Sequence, residues 1–544
     1  MPGMRVCSVL TFLLFAALLF VPVSVLAVAP FTPGMAESST LQRQNVPEKE
    51  VSMPELLNNN RSRQPVFPSD GRRIHIERFA ISGNTVFSEE QLRAVISDKE
   101  GSALTLAEVY VQADRLTAFY RQHGYTLATV TVPAQYMRGG VLQLLVVEGR
   151  VGRLVFSGNE RYDNSFLACR LKHVAPGSVV RFDDLERELL LLNDLPGLEA
   201  RSVLVPGAAS GTTDINFNFR EKSVEAALSV DNSGRKFVGR WRFGADLLLN
   251  NPLRIGDVFS VSYTHSQNDM FRQIKTGYGV PVFSSGDRFD VGYSRSEYYV
   301  GKEFDDLDIE GSSETTFVKY THILRRSISD SMYGALAFYH LRGKAEMLDR
   351  DITNDNVNYL DIGINYVGRN QTGARGSAAA HLALNFQGDS DADRGYTRFQ
   401  FNGDYEQFIS KRLSAYARVE VVLSSDALPD LNKYSIGGFN SVRGFVSSAR
   451  RGDQGWIGSV ELRYRYSTPP ADLMLSCFVD SGKVDSKGTV ITGGSDSITS
   501  VGVGLHAVIA QHYIVDVQWA SPVDGNNAGD DLNAPIWVIF SAVY

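Results

Sequence analysis

Cysteine is nearly absent from the chain, with 3 in 544 residues. Cys7 lies in the N-terminal apolar stretch, which leaves only Cys169 and Cys477, far apart, for the rest. That excludes a disulfide scaffold and a thiolate zinc site, and reads both thiols as buried structural residues. Charge of one sign is also lacking: the net charge is −7, with no basic stripe to suit nucleic acid. After the N-terminus no run of eighteen apolar residues offers a membrane-spanning helix. There is no G-x-S-x-G elbow, H-E-x-x-H pair or P-loop. The nine histidines and acidic pairs such as Asp305-Asp306 show no ligand spacing. These absences point away from an enzyme and from any metal or cofactor. Gly502-Val503-Gly504 resembles part of a dinucleotide fingerprint, but it sits in an alternating segment with no helix after it. Two glycines easing the curvature of a sheet are the better reading.

Glycine (48), tyrosine (23) and phenylalanine (30) are plentiful. Many short strands with glycine turns and aromatic girdles would give this balance, and the length suits about three domains. Residues 1–29 read as a secretory signal: Arg5, an apolar run from Val9 to Val21, the breaker Pro22, then small residues at Ala27 and Ala29. Cleavage is expected after Ala27. Residues 30–70 are rich in Pro, Ser, Asn, Gln and Glu and read as a flexible linker, with one short helical turn over Pro54–Leu57.

Residues 71–222 carry one pattern twice. Phe79-Ala80-Ile81-Ser82-Gly83-Asn84 returns as Leu154-Val155-Phe156-Ser157-Gly158-Asn159. In the first copy, Ser88 is a good N-cap for a helix. Leu106, Val109, Ala113, Leu116 and Tyr120 then share one face of a second helix, ended by Gly124. The alternating run Thr126–Val132 reads as a strand stopped by Pro133, and Gly139-Gly140 turns into another strand, Val141–Val147. The second copy has a helix over Phe182–Leu192, a breaker at Asn193–Gly197, and strands near Ala200–Leu204 and Asp214–Phe219. Two βααββ units, 71–150 and 151–222, follow from this spacing. Ser82-Gly83-Asn84, Gly124–Val130 with Pro133, and Leu192–Gly197 resemble the polypeptide-transport-associated (POTRA) domains of outer-membrane transporters.

From residue 223 to 544 the period changes to two. In Val460-Glu461-Leu462-Arg463-Tyr464-Arg465-Tyr466 the apolar residues share one face and every charge lies on the other. Ala417–Val421 and Val515–Trp519 repeat this. Alternation alone also suits a soluble sandwich with one wet face. The signal, about 320 residues of unbroken strand pattern, and the closing run Ile536, Val538, Phe540, Ala542 with terminal Tyr544 favour a transmembrane barrel. About sixteen segments can be counted, an even number as such barrels require.

One loop stands out, near 432–454. In Gly437-Gly438-Phe439-Asn440-Ser441-Val442-Arg443-Gly444-Phe445 an arginine sits between glycine hinges. Downstream, Phe478-Val479-Asp480-Ser481-Gly482 offers a carboxylate at the end of an apolar segment. With the tandem units and the barrel, this combination resembles the two-partner secretion transporters, the haemolysin secretion/activation family. The resemblance implies an α+β periplasmic part of two POTRA domains, then an all-β outer-membrane barrel of about sixteen antiparallel strands. It implies that Val442, Arg443, Gly444 and Phe445 fold into the barrel, where Arg443 pairs with Asp480 of a wall motif completed by Phe478 and Gly482. Phe445 stands where the family often has tyrosine. The family's plug helix has no counterpart of convincing length before residue 70.

The implied partners are a large secreted protein, exported unfolded without nucleotide, outer-membrane lipid, and the barrel assembly machinery during biogenesis; the protein is expected to be monomeric. An assembly factor for other barrels is the alternative, and a passive porin would not need the tandem units. The client is expected to add as a strand to the edge formed by Leu127, Ala128, Thr129 and Val130; the alternative is that this strand is internal and these residues are core.

Overall fold

A computed structural model describes residues 55–56, 72–370, 372–386, 395–487, 496–525 and 535–544. The signal, the cleavage site and most of the linker lie outside them. The first unit contains β2 (Arg73–Ile76) and β3 (Arg78–Ser82), α1 (Glu89–Ile96), β4 (Ser102–Thr105), α2 (Leu106–Gln122), β5 (Thr129–Thr131) and β6 (Val141–Val147). Its sheet has the order β3-β6-β5, while β2 and β4 pair separately. Ser88 caps α1 with a reciprocal hydrogen bond to Gln91, and Thr105 does the same for α2 with Glu108. Val109, Ala113, Leu116 and Tyr120 of α2 are buried against β3 and β6, whereas Leu106 stays exposed.

The second unit runs β7 (Arg150–Ser157), α3 (Asn164–Ala168), α4 (Phe182–Asn193), β8 (Leu198–Pro206) and β9 (Thr212–Glu221), with its own apolar core. A further strand, β1 (Glu55–Leu56), pairs in parallel with β8, giving the order β1-β8-β9-β7. The helical turn expected over Pro54–Leu57 is therefore wrong. A single helical turn fixes several dihedrals for one bond, whereas the open edge of β8 offers ready backbone partners.

Sixteen strands close a barrel. They are β10 (Val224–Asp231), β11 (Arg242–Asn250), β12 (Val258–Ser266), β13 (Phe271–Val282), β14 (Asp287–Val300), β15 (Ile309–Arg326), β16 (Asp330–Met347) and β17 (Arg350–Arg369). After a tight turn come β18 (Arg375–Phe386), β19 (Thr397–Phe408) and β20 (Leu413–Ser424). The long loop that follows carries a small ribbon, β21 (Tyr434–Ile436) with β22 (Arg450–Gly452). The wall resumes with β23 (Gln454–Thr468), β24 (Ala471–Asp485), β25 (Asp496–Ile509), β26 (Tyr513–Asp524) and β27 (Ile536–Val543). Every wall pairing is antiparallel, and β27 closes on β10 through Ala227–Asp231 and Ile539–Val543. Asn232 extends this seam, its side chain bonding both Ile536 O and Val538 N.

The period of two decides what faces lipid. Val460, Leu462, Tyr464 and Tyr466 are exposed on the outer wall, while Glu461 on the other face is buried. Closure leaves no unpaired edge in hydrocarbon. Cys169 and Cys477 are both exposed, not buried as the composition suggested; Cys477 shares the outward face of β24 with Leu475 and Val479, where a small apolar thiol meets lipid.

The second unit is docked on the barrel rim nearest to it. Asp194 takes a two-pronged salt bridge from Arg326 at 2.7 and 2.9 Å, and Glu186 accepts from the amide of Ile328 at 2.7 Å. Arg161 reaches the carbonyl of Asn251 at 2.9 Å.

Candidate functional site

The loop between β20 and β23 bends back into the lumen. Gly437 and Gly438 both have φ of +104°, where side-chain-bearing residues are strained. A Cβ on Gly437 would also lie 2.5 Å from the carbonyl oxygen of Val446. The tip is tightened by Gly438 N–H donating to Phe445 O at 2.9 Å and Gly437 N–H to Ser441 Oγ at 3.0 Å. Val442 and Phe445 are fully buried, packed with Val422, Tyr434, Ile436, Ile457, Val484 and Ile498. An apolar socket inside the lumen explains phenylalanine at 445, since a hydroxyl there would need a partner.

Arg443 is 7 % exposed and Asp480 not at all. The Arg443 Nε donates to Asp480 Oδ2 at 2.7 Å, Nη2 to Oδ1 at 2.7 Å, and the backbone amide to Oδ2 at 3.1 Å. Nη2 also reaches Ser459 Oγ at 3.1 Å and Glu461 Oε1 at 2.8 Å. The guanidinium lies over the Phe478 ring, 3.3 Å from its centroid. Register explains the convergence, because Ser459 faces Asp480 and Glu461 faces Phe478 across β23 and β24. A planar cation thus has a two-pronged carboxylate, a second carboxylate and an aromatic floor.

The wall motif divides the labour along one face of β24. Phe478 stacks, Asp480 binds charge, and Gly482 leaves room: a Cβ there would lie 3.2 Å from Val442 Cγ2 and 3.1 Å from Trp456 O. Gly444 is equally confined, since its Cβ would come 2.6 Å from that of Ser500. Gly502 has a role other than curvature, because a Cβ there would sit 2.5 Å from Phe478 Cζ. The loop also reaches both sides of the barrel seam. Trp537 Nε1 on β27 donates to Arg443 O at 2.8 Å, and Ser447 Oγ donates to Ser233 O just after β10 at 3.0 Å.

Glu461, Ser459, Ser500 and Trp537 were not singled out from sequence. Alternation puts Glu461 on the lumen face, but only strand register puts it beside residue 443.

The proposed client edge needs correction. The strand spans Thr129–Thr131, not 126–132, because Gly124–Leu127 still turn out of α2, with Tyr125 N–H on Tyr120 O and Ala128 N–H on Tyr125 O. Leu127 packs against the second unit's core, and Ala128 and Val130 are buried in the first. Only Thr129 is exposed. The strand is an edge, yet its outward amide, that of Val130, already donates to Thr117 Oγ1 at 3.0 Å. Among the described residues no group of His, Cys, Asp and Glu has metal-holding geometry.

Comparison with known proteins places these features. Residues 211–507 match the haemolysin secretion/activation protein family ShlB/FhaC/HecB, and residues 74–149 match the POTRA domain of ShlB type. The chain belongs to that family. It is an outer-membrane translocator of the two-partner secretion type, with its POTRA region in the periplasm. It is 23 % identical over 461 residues to the heme/hemopexin transporter protein HuxB of Haemophilus influenzae, covering 80 % of this chain and 81 % of that one. It is 24 % identical over 440 residues to the hemolysin transporter protein HpmB of Proteus mirabilis, covering 76 % of each. The solved structure of CdiB from Escherichia coli superposes with a TM-score of 0.74 at 18 % identity, covering 88 % of this chain and 93 % of that chain.

Proposed function

We propose that this family member exports one large partner polypeptide, unfolded, through a lumen that the Arg443 loop occupies at rest. Residues 71–150 and 151–222 act as two client-receiving units, and 223–544 form the pore. The observation that carries this reading is the buried Arg443–Asp480–Glu461 cluster, which holds an extracellular loop deep in a closed barrel. Such a cluster is costly to break from one side, so the seated loop is a defined state and not a wandering segment. Its displacement opens the path, and folding of the client outside biases movement outward without nucleotide.

Client capture is better assigned to the β8 edge than to β5. That strand is nine residues long, and the two residues of β1 cover only part of it. Strand addition needs such free backbone groups. HuxB and HpmB carry the names of heme/hemopexin and hemolysin transporters, and a large secreted protein is the client expected here. The test is a deletion strain, complemented with the wild-type chain, whose culture medium is compared by mass spectrometry. Loss and return of one large secreted protein supports the reading; an unchanged medium with depleted barrel proteins in the outer membrane supports an assembly factor instead.

A further inference from the structure

The barrel mouth on the POTRA side carries a cationic recess that the loop mechanism does not use. It is an open depression of about 420 Å³ between the β17–β18 and β19–β20 turns, lined by Arg369, Thr372, Gly373, Arg375, Phe408, Ser410 and Lys411. Among the described residues, three cations and no carboxylate line it. Arg369 and Arg375 are direct partners across β17 and β18, and like charges facing each other in a ladder are destabilising. Both are exposed, as is Lys411. On β18 the polar residues Arg375, Ser377 and His381 alternate with Gly376, Ala378, Ala380 and Leu382. His381 bonds Asp361 and Ser377 bonds Asp404. Arg375 therefore belongs to the lumen face, and its partner Arg369 with it.

The obvious counter-charge is engaged elsewhere. Glu406 is the register partner of Arg375 on β19, but its carboxylate accepts from Arg465 Nη2 at 2.5 Å and Ser414 Oγ at 2.7 Å. Side chains at the turns that present the cations bond their own backbone. Asn370 Oδ1 accepts from the amides of Thr372 and Ala374 at 3.0 and 2.9 Å, and Ser410 Oγ accepts from that of Leu413 at 3.1 Å. The recess also adjoins the docking point of the second unit: Arg369 N–H donates to Ser329 O at 2.7 Å, in the turn whose Ile328 amide binds Glu186 of α4.

We propose that Arg369, Arg375 and Lys411 form a receiving site for a carboxylate-rich segment of the exported polypeptide as it passes from the second unit into the lumen. The inference rests on the export reading above. A repulsive, exposed pair at the ends of β17 and β18 is relieved by an arriving anion, and two guanidiniums spaced by a ladder suit successive carboxylates. Its lumen-side position favours a translocating chain over a phospholipid headgroup.

The test uses the full-length protein in non-ionic detergent and a fluorescein-labelled dodecaglutamate peptide, read by anisotropy at low salt. The wild type should bind this peptide, and a dodecaglutamine peptide should not compete. R369Q/R375Q should weaken binding at least about tenfold, as loss of charge-assisted hydrogen bonds requires, whereas R369K/R375K should retain most of it. K411Q, at a turn tip, should weaken binding less and serves if the double variant does not fold. Equal competition by dodecaglutamine, or unchanged affinity in R369Q/R375Q, overturns the site. Loss of co-purifying phosphatidylglycerol in R369Q/R375Q with peptide affinity unchanged also overturns it, in favour of a lipid site. Binding is read without export, so a secreting protein that ignores the peptide sinks this site alone. Peptide binding by a protein that exports nothing sinks only the export reading.

Discussion

The indole N–H of Trp537 donates to the backbone oxygen of Arg443 at 2.8 Å, so the loop folded into the barrel is tied to the strand that closes the wall. The guanidinium of the same arginine faces the other way, into Asp480 and Glu461. Residue 443 is held from both ends.

Arg443→Ala leaves the buried Asp480 without its cation, while Glu461 keeps Arg463 Nε at 2.7 Å; breaking a buried pair from one side commonly costs about 3–5 kcal/mol. The loop should become protease-sensitive and secretion should fall, while heat-modifiable barrel remains in the outer membrane. Asp480→Asn should be more damaging than Glu461→Gln, because Asp480 accepts three bonds from Arg443. Wild-type secretion by Arg443→Ala would remove the loop from the mechanism.

Gly482→Val leaves every charge in place but thrusts atoms at Val442 Cγ2. Overpacking of this kind costs about 1–3 kcal/mol, and the loop should unseat as it does in Arg443→Ala. Adding Val442→Ala should restore protease resistance, since contacting residues couple. A double variant no better than Gly482→Val would put the decisive clash on the Trp456 carbonyl, 3.1 Å from the added Cβ, and not on Val442.

Glu148 gives the first unit a pH dependence. Burial alone would push its carboxyl up, but the hydroxyl and amide of Thr85, the amide of Val86 and the Tyr120 hydroxyl hold it below its ordinary 4.5. A carboxyl depressed by folding adds stability above its unfolded value, and that contribution is lost as pH falls through the folded one. At neutral pH, Glu148→Gln should lower the stability of residues 71–222 by about 1–3 kcal/mol in a denaturant titration. The gap between the two proteins should narrow as the pH drops below 4.5. A gap that is constant with pH would assign the effect to lost shape and not to charge.

The pairing of β1 with β8 can be locked. Leu56 and Leu204 are direct partners, and neighbouring strands lie about 4.8 Å apart, within disulfide reach. Leu56→Cys with Leu204→Cys should secrete poorly when oxidised and recover with reductant. Normal secretion by the cross-linked protein would mean that the client does not need this part of the β8 edge.

Period and motif were legible in the sequence; register was not. Alternation in Val460–Tyr466 reveals which residues face lipid, because hydrocarbon admits no charge and lumen water does. The spacing of Phe478, Asp480 and Gly482 reveals one face of one strand, for the same reason. Glu461 and Ser459 lie on a different strand, and their approach to Arg443 depends on how β23 slides along β24, which side-chain polarity alone leaves open. Trp537 is a further step away, across a barrel whose curvature no local pattern encodes. The strand at 126–132 shrank to three residues because tertiary needs overrode β propensity: Leu127 is claimed by the second unit and Ala128 by the first unit's core.

The partners of the loop tip on β23, β24, β25 and β27 all follow it in the chain. Synthesis delivers the key before the lock: residues 437–449 exist before Ser459, Asp480, Ser500 or Trp537 has been made. Full seating requires β27 in the wall, because the bond from Trp537 Nε1 to Arg443 O exists only then. On the export reading proposed above, the seated loop is then a certificate of completed assembly, and a lesion in β27 should surface first as ion leakage across the membrane, ahead of any loss of the protein itself.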